Sequence, residues 1–261
     1  MSQPISDATI LVDIDASDPS EVSPSLISLL GPHKVVVLGY YPVPDQSTAG
    51  QLREEFGADA TAAVERVVDQ YAAQGAVVES TVVFTRDRDK AIDTTANEYE
   101  VDAVLTPGTI GGSLDHVLVP LRGDATVENI VDFVVTLLRE SDTNITLFNI
   151  PGDEEEASVG EFLLRGARDR LVDEGLSHDR IEWQQEFAAS PTQGIVDASG
   201  EYDLLIVGES EPSLRERIVG TCILSPSDAA DDRLCADALW PSVKINTPTS
   251  VADAGTVPTR Q

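Results

Sequence analysis

The chain has 261 residues, enough for one large domain or two ordinary ones, and carries 46 acidic against 17 basic residues, a formal charge of −29. That balance argues against nucleic acid or an anionic membrane surface as a partner, because both need clustered Lys and Arg. No run of eighteen apolar residues is present to cross a bilayer. Only Lys34, Lys90 and Lys244 are lysines, whereas heat adaptation enriches lysine along with glutamate. Self-repulsion on this scale predicts a high-salt setting, where a Debye length of about 3 Å at 1 M screens it. Met1 to Asp7 shows neither a basic start nor an apolar block, so no signal peptide is expected and the expected location is cytoplasmic.

In chain order, Thr9 to Ser17 reads as a buried strand, and Ser20 to Leu30 as a short, proline-interrupted helix. Lys34 to Tyr40 is a second strand. A long helix is predicted from Thr48 to Gln74, with Leu52, Phe56, Ala60, Ala63, Val67 and Tyr71 at helical spacing and Gly75 as its stop. Val77 to Phe84 is a strand, Asp89 to Glu100 a helix, and Asp102 to Thr106 a fourth strand. Thr106 to Ser113, rich in Gly and Thr, reads as a linker.

The pattern then repeats. His116 to Asp124 resembles Thr9 to Ser17, an apolar run closed by turn residues. It is followed by a helix from Thr126 to Arg139, a strand from Asn144 to Ile150 and a helix from Ala157 to Glu174. That helix has Phe162, Leu163, Ala167 and Leu171 on one face and Gly175 at its end. Strand 182–187, helix 191–200 and strand 203–207 complete the second unit, and Leu239 to Ile245 is a candidate fifth strand of the second sheet. Strands alternating with helices predict parallel, right-handed βαβ units with both sheet faces covered. The expected organisation is a first unit over 1–113, a second over 114–246 and a flexible Pro/Thr/Ala-rich tail over 247–261. The acidic run Asp153 to Glu156 fits a helix N-terminus better than a metal site, because the dipole favours acids there. Cys222 and Cys235 sit in no metal or disulfide pattern and read as small core residues.

These segments resemble the universal stress protein family, most closely its haloarchaeal branch, twice over between about residues 7 and 245. The family opens on a strand like V-L-V-P-V-D-G-S, matched by Val117-Leu118-Val119-Pro120 and more loosely by Ile10 to Asp15. It closes on a fourth strand running into G-x-x-G, a nine-residue loop and G-[ST], matched in part by Ile206 to Thr221. The resemblance implies two tandem doubly wound α/β units of the superfold shared with adenine nucleotide alpha-hydrolase-like proteins. It also implies a nucleotide site at the carboxyl ends of the first and fourth strands. There glycine N–H groups approach phosphates and an aspartate contacts the ribose. The positions that correspond are Asp15 in the first unit. In the second they are Pro120, Leu121, Arg122, Val207, Gly208, Ser210, Gly220 and Thr221.

Each unit departs from that pattern. In the second, Glu211 stands at the middle glycine, Pro212 removes an N–H donor, the loop is one residue short, and Arg122 replaces the ribose aspartate. In the first, Asp15 is in place, but Thr106-Pro107-Gly108 runs into the linker with no glycine loop. The half-sites are expected to lie in different sheets. An alternative is a different anionic ligand held by Arg122, Arg215 and Arg217.

No catalytic pattern stands out. A Walker loop and a G-x-G-x-x-G are absent, and Gly208 to Pro212 breaks the nucleophile-elbow pattern with proline. His33, His116 and His178 fall at unrelated positions. The sequence therefore predicts a stress-response or regulatory interaction module rather than an enzyme, acting on a protein partner or on itself as an internal pseudo-dimer or homodimer. The second expectation is a sensor of ATP, another adenine nucleotide or a different anion through the second unit. A weaker third is an enzyme of the same superfold with slow nucleotide hydrolysis.

Overall fold

The structure, a computed structural model, describes residues 8–19, 21–106, 113–123, 127–208 and the backbone of strand 242–245. Its first half runs β1 (Thr9–Asp15), α1 (Pro24–Leu30), β2 (Lys34–Pro42), α2 (Ala49–Ala73), β3 (Val77–Thr85), α3 (Arg88–Glu98) and β4 (Ala103–Thr106). Its second half runs β5 (His116–Pro120), α4 (Val127–Leu138), β6 (Asn144–Asn149), α5 (Glu154–Asp173), β7 (Ile181–Gln185), α6 (Pro191–Ser199), β8 (Leu204–Gly208) and β9 (Ser242–Ile245). The expected linker residues 107–112, residues 209–241 with Cys222 and Cys235, and the expected tail over 247–261 lie outside the described residues.

The strands form one sheet in the order β3-β2-β1-β4-β9-β8-β5-β6-β7. Each half contributes four parallel strands, and in each the fourth lies beside the first. β9 is parallel to β8 and antiparallel to β4, so the two halves run in opposite directions. The two expected four-strand parallel sheets are thus present, and β9 joins them edge to edge. The candidate fifth strand extends the second half as expected and also joins it to the first.

Both faces are covered, which is why the inner strands read as unbroken apolar runs. One continuous core lies beneath α1, α2, α4 and α5, holding Ile10, Val12, Val35, Val37, Val117, Val119, Ile145 and Leu147. α3 covers Leu11, Val36, Leu38 and Val104 on the opposite face, and α6 covers Leu118, Phe148 and Leu205. Each fully buried Leu or Ile contributes about 1.5–3 kcal/mol of transfer free energy.

Local signals set the helix ends. Thr48 and Gln51 form a reciprocal capping box at α2, and Gly75, at φ +99°, follows its C-cap. Gly175, at φ +105°, does the same after α5. α2 buries Ala60, Ala63, Val64, Val67 and Tyr71, while Leu52 and Phe56 pack at the margin. The buried face of α5 differs from expectation. Gly160, Leu164, Ala167 and Leu171 face inward, Leu163 is partly buried, and Phe162 is 80% exposed. α5 also starts at Glu154, earlier than expected, with Asp153 as N-cap, so the acidic run occupies its first turn.

Candidate functional site

In a doubly wound sheet the crevice forms where strand order reverses, beyond the carboxyl ends of the first and fourth strands. Because the halves run in opposite directions, the β1/β4 edge and the β5/β8 edge lie at opposite ends of the sheet. Asp15 is thereby separated from Pro120, Leu121, Arg122, Val207 and Gly208, and the structure does not bring the two groups together.

The first edge is built around a charge pair. Asp13, on the α3 face of β1, is 2% exposed. A carboxylate there requires a partner, since an uncompensated buried charge costs several kcal/mol. Arg88, in the first turn of α3, supplies it. Its Nε donates to Asp13 Oδ2 at 2.8 Å, and Nη2 donates to the same oxygen. The guanidinium also lies 5.3 Å from the centre of the Tyr40 ring. Burial pulls the Arg88 pKa down, but the Asp13 carboxylate and its hydrogen bond outweigh that and hold it above the ordinary value. Burial first, then the Asp15 carboxylate, push the Tyr40 phenol up.

Other polar groups at this edge are also occupied. Asp15 Oδ1 accepts from Ser17 N at 2.8 Å and Ser17 Oγ at 2.6 Å, and Tyr40 donates to the same side chain. Arg86 donates to the carbonyls of Pro44, Asp45 and Ser47, fixing the loop into α2. The α3 N-terminus, a place where a phosphate would be favoured, is capped by Asp87, which accepts from Lys90 N at 3.0 Å.

At the second edge a neutral polar network lies on the face that α5 covers. Asn149, at the end of β6, donates to Leu121 O at 2.8 Å, and Gln185 donates to Asn149 Oδ1 at 2.9 Å and to Ala157 O at 3.0 Å. Gly160 makes room for it. A Cβ there would collide with Asn149 Oδ1 and sit 2.6 Å from Gln185 Nε2. Leu121 is a core residue at 1% exposure, and its carbonyl is already taken by Asn149. Pro120, Val207 and Gly208 are half-buried, and Arg122 is exposed beside Gly123, whose φ is +71°. Ser210, Gly220 and Thr221, with Glu211, Pro212, Arg215 and Arg217, lie outside the described residues.

Sequence reasoning missed Asp13 and Arg88. The available signal was Asp13, a carboxylate flanked by Val12 and Ile14 within the strand Thr9–Asp15, which demands a cation somewhere in the fold. A cleft of about 420 Å³ lies elsewhere, on the seam between α1 and α4, lined by Ser25, Ser28, His33, Asp115 and Arg139 among others. It includes none of the expected site residues. Among the described residues, no three His, Cys, Asp or Glu side chains converge as a metal ion would require, and no helix is long and apolar enough to cross a membrane.

No protein-family model matches the chain, and no curated protein sequence does. Among solved structures, a universal stress protein from Archaeoglobus fulgidus DSM 4304 matches over 91% of this chain and 95% of its own, with 12% identity and a TM-score of 0.58. A protein provisionally assigned as a universal stress protein from Pseudomonas aeruginosa UCBPP-PA14 matches over 92% and 93%, with 10% identity and a TM-score of 0.50. At these identities the likeness speaks for the fold, and the chain has the two-unit architecture of those universal stress proteins.

Proposed function

We propose that this chain is a regulatory module of universal stress protein type that acts by binding a protein partner, without catalysis. The observation that supports this reading most directly is the Asp13–Arg88 pair over Tyr40. It occupies the carboxyl edge of β1 and β2 with the protein's own charges. A nucleotide there would have to compete with a buried ion pair, and the adjoining helix N-terminus already carries Asp87. The acidic composition fits a module working at high salt in the cytoplasm, where the charge is screened.

A second reading is favoured by one observation. Arg122 is exposed at the end of β5, close to where β8 ends at Gly208. An arginine fork in that place suits a carboxylate or phosphate, so ATP, another adenine nucleotide or a different anion is the alternative ligand of the second half.

A thermal-shift titration with ATP, ADP, AMP and cyclic nucleotides in about 2–3 M KCl separates the readings. The module reading predicts an unchanged, cooperative melt. A saturable rise that disappears in Arg122→Ala would replace it with the ligand-sensing reading.

A further inference from the structure

The two outer strands of the sheet differ. β7 has five residues, Ile-Glu-Trp-Gln-Gln, whereas β3 has nine, Val-Val-Glu-Ser-Thr-Val-Val-Phe-Thr. Among the described residues β3 pairs only with β2. It contains no proline, and its single charge, Glu79, is neutralised by Lys34 at 2.7 Å. Val77 is 66% exposed. Protein sheets ordinarily blunt an edge of this length with charge, proline or a covering element.

One bond fixes which backbone groups point outward. Thr85 O accepts from Val43 N at 2.8 Å, on the continuation of β2, so Thr85 turns its peptide groups inward. By alternation, Val78, Ser80, Val82 and Phe84 present N–H and C=O to the outside.

We propose that β3 is a self-association edge, on which a second copy of this chain adds its own β3 antiparallel about a two-fold axis at Thr81. In that register Ser80 meets Val82, Val78 meets Phe84, Glu79 meets Val83 and Val77 meets Thr85. The outward-pointing residues then face one another as hydrogen-bonded pairs, and no like charges are opposed. This self-complementarity is what a two-fold interface requires and singles out a second copy as the occupant. α2 packs on the same strand and exposes Glu54, Glu55, Asp59, Glu65 and Asp69, so a second copy brings a second acidic helix alongside. Association therefore strengthens as salt screens the charge. The proposal stands on the edge strand and is independent of whether either carboxyl edge binds a ligand.

Light scattering on the full chain over a concentration series, in about 0.1 M and about 3 M KCl, reads the mass directly. A shift from the monomer mass toward twice that mass at high salt is expected. Ser80→Pro removes an outward N–H while sparing the ladder to β2, and should return the protein to monomer with its cooperative melt intact. Thr81→Cys should form a disulfide-linked dimer on mild oxidation, above the level of the parent with Cys222 and Cys235. The two Cα atoms would be about 4.5 Å apart, and Ser80→Cys, which does not face itself, should not crosslink. If Ser80→Pro fails to fold, the Thr81→Cys crosslink decides. A monomer at both salts overturns the proposal and leaves the edge to another partner. A dimer unaffected by Ser80→Pro, with no Thr81→Cys crosslink, overturns it as well.

Discussion

At the end of β1, Arg88 reaches from α3 to the buried Asp13 and lies over Tyr40. At the carboxyl edge of the second half, on the other, α5-covered face of the sheet, Asn149 and Gln185 form a network of two amides whose bonds run to Leu121 O and Ala157 O. The same architecture thus fixes its two carboxyl edges by different means. A buried ion pair gains little net stability but costs much when broken on one side. An amide network contributes about 1 kcal/mol per bond and carries no charge to strand. The first edge should therefore be the more fragile to substitution, and the second the more tolerant of a changed ligand environment.

Arg88→Met tests this difference with the largest expected effect. It leaves Asp13 buried without its cation, and a loss of about 2–4 kcal/mol in urea unfolding is predicted. That figure is reduced from the fully buried case because the Arg88 side chain is 39% exposed. Adding Asp13→Asn to Arg88→Met should recover more than half. In the second half, Gly160→Ala should cost about 1–3 kcal/mol, because the new methyl group drives into Asn149 and Gln185 and lifts α5 from β6 and β7.

A smaller contrast appears in alkali. Burial raises the phenol of Tyr71, and burial with Asp15 raises that of Tyr40, and both belong to the first half. The unfolded chain releases these protons near pH 10, before the folded chain does. Their contribution is intact below about pH 10 and is lost as pH rises from there toward the raised folded values. Tyr71→Phe should blunt that loss. It should also stabilise the protein by about 1 kcal/mol at neutral pH, since the Tyr71 hydroxyl has no hydrogen-bond partner among the described residues. The smallest effect is expected at Arg122→Ala, within about 0.5 kcal/mol, because the side chain is exposed.

The strands and helices were legible because their signals are local. Val-rich runs mark strands covered on both faces, and Gly75 and Gly175 stop α2 and α5 where the left-handed conformation is needed. The face of α5 was harder to read. Phe162 and Leu163 looked like core by spacing, but the helix seats through Gly160 and Leu164, which only the Asn149–Gln185 network explains. The first edge was only half legible: Asp13 inside an apolar strand demands a cation, but Arg88 is remote in sequence and nothing in one chain names it as that cation. The resemblance directed attention to Asp15, which the fold uses to bind Ser17 and Tyr40. β9 was recognised as a strand, but its pairing with β4 across the two halves depends on topology that composition does not carry.

The central claim, that these edges are occupied by the protein's own side chains, is tested most directly by equilibrium dialysis against labelled ATP in about 2–3 M KCl. The account predicts no saturable retention by the parent chain. One or two equivalents of ATP held per chain would contradict it.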